Sequence, residues 1–291
     1  MPFVKGHGTE NDFVVIPDAE NVRELSAREV AAICDRRAGI GADGVLRVVR
    51  SAQHPDAQPM ADEAPWFMDY RNADGSIAEM CGNGVRVFAR YLADAGLIVP
   101  GEPLAIATRA GVRHVRFETD GQVTVGMGRV RLPKGDDASH GEGIRVGVGP
   151  GQGWTAVPVQ VGNPHAVVTV SDLAEAGPLL EAPTVSPRSA FPHGVNVEFM
   201  VVREERHVAM RVHERGVGET RSCGTGACAA AVVHAHHEHL HPPVAVLVDV
   251  PGGRLTVTYL KSGEVELTGP AVLVAAGELR ADWLAAVRQP G

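Results

Sequence analysis

Cys81-Gly82-Asn83-Gly84-Val85-Arg86-Val87-Phe88-Ala89 and Cys223-Gly224-Thr225-Gly226-Ala227-Cys228-Ala229 share one pattern: a cysteine, a Gly-x-Gly step, then a helical stretch. In the first, Val85, Phe88, Ala89 and Leu92 recur at i, i+3, i+4 and i+7, the spacing of a buried helix stripe, and Gly96 supplies a stop. In the second, Thr225 to His237 is rich in alanine and suits a helix enclosed on most sides, ended by Pro242-Pro243. The cysteines stand close to half of the 291-residue chain apart. Around each helix lie many short β-rich runs, so the chain reads as a loose two-fold repeat of one α+β module. Two copies facing each other would bring both tetrapeptides to a shared cleft.

Working outward, strands are expected at Phe13 to Ile16, Val45 to Val49, Leu104 to Ala107, Val112 to Phe117 and Gln122 to Val125. In the second half they are expected at Ala166 to Val170, Asn196 to Val202, Val208 to Val212, Val244 to Val248, Leu255 to Tyr259 and Val265 to Leu267. Asp120-Gly121 reads as a two-residue hairpin turn and Lys261-Ser262-Gly263-Glu264 as a second hairpin. Ser26-Ala27-Arg28-Glu29 is a capping box opening a helix that ends near Asp35. Ser51 to Pro65, polar and Pro-containing, reads as a surface insertion. The Gly-rich stretch from Val130 to Gly153 is expected to contain the boundary region. The modules are drawn as 1–125 and 126–267, the first completed by 268–285.

A hydrophobic fraction of 44% with 21% charged residues fits a globular protein. A net charge of −8 argues against nucleic acid or an anionic membrane as the main partner, since both reward clustered Lys and Arg. No apolar run reaches the length of a spanning helix, and Met1-Pro2-Phe3-Val4-Lys5-Gly6-His7 lacks the basic-then-apolar order of a secretory signal. The expected location is the cytoplasm. Four cysteines, Cys34, Cys81, Cys223 and Cys228, are too sparse for a disulfide framework and form no C-x-x-C pair of a structural zinc site.

Glycines beside a cysteine at a helix start let a ligand approach the backbone and leave the first helical N–H groups facing outward. Such N–H groups, with the helix dipole, suit a carboxylate, and the same field favours a thiolate. Paired starts of this kind fit a reaction that needs an acid on one side and a base on the other. Inversion of a carbon centre is such a reaction. An amino-acid α-proton is poorly acidic because the adjacent carboxylate is already negative. Two helix N-termini converging on that carboxylate would stabilise the extra charge of a planar carbanionic transition state.

At this point the motifs are informative. Asp69-Tyr70-Arg71-Asn72-Ala73-Asp74-Gly75-Ser76-Ile77-Ala78-Glu79-Met80-Cys81-Gly82-Asn83-Gly84-Val85-Arg86 resembles the first active-site signature of the diaminopimelate epimerase family. His213-Glu214-Arg215-Gly216-Val217-Gly218-Glu219-Thr220-Arg221-Ser222-Cys223-Gly224-Thr225-Gly226-Ala227-Cys228 resembles the second. Asn11-Asp12-Phe13-Val14, Gly39-Ile40-Gly41-Ala42-Asp43-Gly44, Gly162-Asn163-Pro164-His165 and Asn196-Val197-Glu198-Phe199 match in the family's order. The resemblance implies two pseudosymmetric α+β modules, each a curled, mostly antiparallel sheet around a central helix. The active site would lie in the cleft between them, and the last strand would return to the first module.

It further implies a two-base enzyme that interconverts LL- and meso-diaminopimelate without pyridoxal phosphate, other cofactor or metal. Cys81 and Cys223 would be the acid–base pair. The backbone N–H groups of Gly82, Asn83, Gly224 and Thr225 would hold the reacting carboxylate. Asn11, Asn72, Asn163, Asn196, Glu214 and Arg215 match substrate-binding positions, and His165 and Glu214 match residues that tune the cysteines. The family also implies a homodimer. Thr9-Glu10 replaces a common Leu-Gly, and Gly44 stands where many members carry a glutamine that contacts substrate.

Taken singly, most of these features have plainer readings. Cys34 and Cys228 are read as core residues, Asn163-Pro164 alone as a turn, Arg215 alone as a surface arginine and His165 alone as structural. His234, His236, His237, His239 and His241 tempt a metal reading, but histidines at a helix end also satisfy carbonyls and complement the dipole. The nearest rival function is a proline racemase or hydroxyproline epimerase. Those resemble Cys-Gly-His-Gly, where this chain has Asn83. Phenazine-pathway isomerases lack the cysteine pair. A redox thiol switch joining Cys81 to Cys223 leaves the carboxylate-binding glycines unexplained.

Overall fold

Residues 1–132, 143–149, 151 and 153–289 are described by a computed structural model. Much of the Gly-rich stretch expected to hold the boundary region (133–142, 150 and 152) lies outside the described residues. The chain forms two compact units, Met1–Val125 with Gly269–Gly291, and Gly126–Thr268.

In the first unit β1 (Pro2–Gly8) pairs antiparallel with β2 (Asn11–Pro17), and β2 pairs parallel with β3 (Gly44–Arg50). Next, β4 (Trp66–Asn72) joins β3 antiparallel, and β5 (Leu104–Thr108) joins β4 parallel. β6 (Gly111–Phe117) and β7 (Val123–Arg129) follow antiparallel, and a late strand, β18 (Val272–Glu278), pairs antiparallel with the outer side of β1. Inside the curl runs α2 (Gly82–Asp94), whose Val85, Val87, Phe88, Ala89 and Leu92 are all fully buried. The other face of the sheet is covered by α1 (Ala27–Cys34) and α4 (Ala281–Arg288), which tie together through Arg288 Nε and Glu29 Oε1 at 2.7 Å. With both faces covered, Phe13, Val14, Val15 and Ile16 form an unbroken buried run where a one-sided strand would alternate.

The second unit repeats this order. β9 (Gly153–Val161) pairs antiparallel with β10 (Asn163–Thr169), β10 parallel with β12 (Asn196–Glu204), and β12 antiparallel with β13 (His207–Glu214). β13 then pairs parallel with β15 (Val244–Val250), and β16 (Gly253–Tyr259) and β17 (Glu264–Gly269) follow antiparallel. From β1 to β7 and from β9 to β17 the succession is therefore the same: antiparallel, parallel, antiparallel, parallel, antiparallel, antiparallel. Short strands flank this core: β8 (Arg145–Gly147) beside β9, β11 (Thr184–Ser186) beside β8, and β14 (Gly218–Thr220) beside the end of β13. The central helix is α3 (Gly224–His237), buried almost all round; its alanines let the strands approach from every side. The α+β class and the pseudosymmetric pair of modules expected from the sequence are what the chain adopts.

Local differences have physical causes. Ser51 to Pro65 is no simple surface insertion: Ala57 and Ala64 are fully buried against Val49, Phe67 and Ala107, so the polar residues between them form the exposed side of a packed loop. The Asp120-Gly121 hairpin turn has three residues instead of two. Glu118 N–H meets Gln122 O at 2.8 Å, and Gly121 takes φ +84°, the left-handed position that glycine tolerates. The Leu260–Glu264 hairpin uses the same turn, with Gly263 at φ +82°. The Ser26 capping box is present, with Glu29 N–H to Ser26 Oγ at 3.2 Å and Ser26 N–H to Glu29 Oε2 at 2.9 Å. Among the described residues no helix is long and apolar enough to cross a membrane.

Candidate active site

Cys81 is the cap residue of α2, in extended backbone at φ −141° and ψ 123°. The first helical turn closes on it, Val85 N–H to Cys81 O at 2.9 Å. The preceding N–H groups, Gly82 and Asn83 among them, have no carbonyl one turn back within the helix. Cys81 Sγ donates to Asn11 Oδ1 at 3.5 Å, and the same oxygen accepts from Asn83 Nδ2 at 3.2 Å. Asn11 Nδ2 donates to Asp43 Oδ2 at 2.7 Å, while Asn83 Oδ1 accepts from Arg86 Nη2 at 2.7 Å. Arg86 and Asn83 are fully buried.

Asp43 also accepts from Arg36 Nη2 at 2.6 Å, and Arg36 and Lys5 both reach Asp12. Burial pushes the Asp43 carboxyl up. Burial also opposes ionisation of Asp12, but the hydrogen bonds from Arg36 and Lys5 outweigh it and bring its carboxyl down to about 2. Asn72 lies at the end of β4, and its side chain donates to Ser76 Oγ at 3.0 Å, within its own turn. Gly44, opposite Asn72 in the β3–β4 ladder, leaves no room for a side chain. An added Cβ would sit 2.6 Å from Arg71 O and 2.7 Å from Tyr70 Cε2.

Cys223 caps α3 in nearly the same backbone, φ −122° and ψ 116°, with Ala227 N–H to Cys223 O at 2.9 Å. Here the sulfur accepts: Gly226 N–H donates to Sγ at 3.4 Å, and Thr225 Oγ1 lies 3.5 Å away. Glu214, at the end of β13, accepts from Thr220 Oγ1 at 2.5 Å and hydrogen-bonds with Cys223. Next to it, on β12, Glu198 is fully buried; its Oε1 meets His165 Nδ1 at 2.6 Å. His165 Nε2 meets Asn163 Oδ1 at 2.8 Å, and Asn196 Oδ1 accepts from Arg215 N–H at 2.8 Å. The Arg215 guanidinium is turned onto the loop before β12, donating to His193 O at 3.0 Å.

Burial, and then the Glu214 and Glu198 carboxylates, push the Cys223 thiol well above its ordinary value. Burial also pushes Glu214 up. A carboxyl raised in this way and hydrogen-bonded to a thiol can exchange a proton with it.

Within the first unit the structure joins Cys81, Gly82, Asn83 and Asn11 in one group. Within the second it joins Cys223, Thr225, Glu214, His165 and Asn163, with Asn196 and Arg215 linked to each other nearby. Sequence reasoning gave no role to Glu198, Asp43, Arg86 or Thr220, although each stood inside a quoted motif. For Glu198 the signal was its placement two residues after Asn196, hence on the same face of one strand. Cys34 and Cys228 are buried, and burial pushes Cys34 up to about 12. His234 is fully buried with Nε2 at 2.8 Å from Glu205 O, so it shares no solvent face with His237 and His241.

Solved structures with this fold include the hydroxyproline epimerase of Agrobacterium vitis with bound trans-4-hydroxy-L-proline. It matches with TM-score 0.66 and 15% identity over 95% of this chain and 91% of that one. A Bacillus anthracis phenazine biosynthesis protein of the PhzF family gives a TM-score of 0.67 and 17% identity over 96% and 99%. At the level of sequence, the diaminopimelate epimerase of Streptomyces coelicolor is 59% identical over 99% of this chain and 98% of that protein. That of Thermobifida fusca is 50% identical over 96% and 98%. Fold and relatives together define an isomerase built from two pseudosymmetric α+β modules. The diaminopimelate epimerase family profile matches residues 3–133 and 157–274. The chain belongs to the diaminopimelate epimerase family.

Proposed function

We propose that this protein interconverts LL- and meso-2,6-diaminopimelate by a two-base mechanism in which Cys81 and Cys223 serve as acid and base. The observation that carries the reading is the duplicated helix start. Each unit places one cysteine at the cap of its central helix, in matching backbone, directly before N–H groups suited to a carboxylate. The reading requires both thiols to reach one α-carbon from opposite faces. One thiolate removes the α-proton and the other thiol returns a proton to the far face, so each cysteine ends the turnover in the state its partner began in. The N–H groups of Gly82, Asn83, Gly224 and Thr225 stabilise the charge that spreads onto the carboxylate as the carbon becomes planar.

In this reading Glu214, hydrogen-bonded to Cys223, and His165, held by Glu198, set the proton balance at the second cysteine. Asn11, Asn72, Asn163, Asn196 and Arg215 recognise the distal end of the substrate, a carboxylate being a natural partner for a guanidinium. No pyridoxal phosphate or metal enters. The two modules are 1–125, completed by 268–285, and 126–267, working as a homodimer in the cytoplasm for lysine biosynthesis. The test is incubation of the reduced protein with LL-diaminopimelate in deuterated water without added cofactor. Conversion to the meso product with solvent deuterium at the inverted carbon is expected, lost in Cys81→Ala and Cys223→Ala. Inversion of proline or hydroxyproline in place of diaminopimelate would overturn the substrate assignment.

A further inference from the structure

The contacts around Cys81 form a chain with a charged group at each end. Arg86 can only donate and an ionised Asp43 can only accept, while the carboxamides of Asn83 and Asn11 could each face either way. The guanidinium fixes Asn83 with its oxygen toward Arg86 at 2.7 Å and hence its amino group toward Asn11. The carboxylate fixes Asn11 with its amino group toward Asp43 at 2.7 Å. Both ends therefore impose the same orientation on Asn11, and its oxygen is the atom that meets Cys81 Sγ. A carbonyl oxygen in that place accepts from a thiol S–H and opposes a thiolate.

We propose that Asp43 and Arg86 are positioning residues that lock the Asn11 carboxamide with its oxygen on Cys81, holding this cysteine in its proton-bearing form in the resting protein. The inference rests on Cys81 being one of the two acid–base groups. It goes further by naming what sets its protonation state. The charged groups around this cluster are Arg86 from α2, Asp12 from β2, Lys5 from β1, and Arg36 and Asp43 from the segment between α1 and β3.

The test is a double-mutant cycle read by alkylation of Cys81 with iodoacetamide at neutral pH, followed by mass spectrometry of the Cys81 peptide. A thiolate reacts and a thiol does not, so the rate reports the thiolate fraction. Asp43→Asn frees Asn11 to turn, and is expected to speed alkylation roughly three- to tenfold. In an Asn11→Ala background the same substitution is expected to change the rate by less than about twofold, because the carboxamide that transmits it is gone. An equal acceleration in both backgrounds would assign the effect to the charge of Asp43 acting directly and overturn the proposal, as would no acceleration in either. Asn83→Ala, which cuts the Arg86 end, is expected to accelerate alkylation in the same direction by a smaller factor. It decides the matter if Asp43→Asn does not fold, an unchanged rate again counting against. None of these readings uses diaminopimelate. Failure of wild-type turnover in deuterated water would count against the epimerase reading alone.

Discussion

The helix starts at Cys81 and Cys223 have almost the same backbone but place different groups around the sulfur. At Cys81 the sulfur faces an acceptor, Asn11 Oδ1, in a cluster threaded with cations. At Cys223 it accepts from Gly226 N–H and lies among two buried carboxyl groups. The duplicated fold thus supplies a common scaffold, while side chains from neighbouring strands give each half its own proton chemistry. An acceptor in front of the thiol opposes the thiolate at Cys81. Carboxyls around the sulfur oppose it at Cys223, where Glu214 can take up the thiol's proton when the base is formed.

The comparison would break most visibly if the two cysteines proved unequal in need. Cys81→Ala and Cys223→Ala are each expected to lower epimerisation by on the order of 10³-fold or more, measured as solvent-deuterium incorporation. Substantial residual inversion in one variant would mean that a single thiol works both faces. The glycines that end the two tetrapeptides sharpen the contrast. A Cβ at Gly226 would lie 2.7 Å from Glu198 Oε1, which is fully buried and held by His165, so Gly226→Ala should cost about 1–3 kcal/mol in denaturant unfolding. At Gly84 the added Cβ would meet Cys81, Leu46 and Phe13 only at 3.5 Å, so Gly84→Ala should be neutral or stabilising by up to about 1 kcal/mol.

The carboxyls near the two starts should then differ in sign. Asp12, brought down to about 2, stabilises the fold above the ordinary carboxyl value and loses that contribution as pH falls through its folded value. Asp12→Asn should therefore cost about 1–2 kcal/mol at neutral pH, allowing for screening, and little below pH ~2. Glu214 is raised by burial, so its ionisation disfavours the fold as pH climbs from the ordinary carboxyl value through the raised one. Glu214→Gln should leave the thermal midpoint at neutral pH unchanged or higher. It should also let Cys223 ionise at lower pH, read as thiolate absorbance in a Cys81→Ser background. A lower midpoint would mean that the Thr220 hydrogen bond outweighs the burial of the charge.

The parts of the fold legible in the sequence were those governed by local rules. The Ser26 capping box, the two Cys-Gly-x-Gly helix starts and the apolar strand cores are set by neighbours in the chain. Seven strands were absent from the expected runs, namely β1, β4, β8, β9, β11, β14 and β18, and for three of them the reason is plain. β1 contains Gly6 and Gly8, which read as loop residues. Each instead makes room for the central helix, since a Cβ at Gly6 would lie 3.0 Å from Val87 Cγ1 and one at Gly8 3.0 Å from Arg86 Nη2. In β4 the buried Asp69 breaks the apolar pattern. It is tolerated because Arg47, Arg71 and Arg109 all reach its carboxylate, and two of the three, Arg47 and Arg109, come from elsewhere in the sequence. β18 is largely exposed, so it carries no alternation to detect. In the site, the cysteines and glycines stood out because their spacing repeats. Glu198 and Asp43 did not, because their importance lies in partners 33 residues away for one and 32 for the other.

The strand pairing of β18 with β1 also has a consequence for how the protein is made. A ribosome releases β1 before the second unit and β18 after it, so the whole of Gly126–Thr268 emerges between them as one uninterrupted stretch. Vectorial synthesis therefore lets the later-encoded unit mature while the earlier one waits with an open edge on β1. A nascent chain interrupted before Gly269 would carry that edge unprotected, ready to pair with whatever strand it met first.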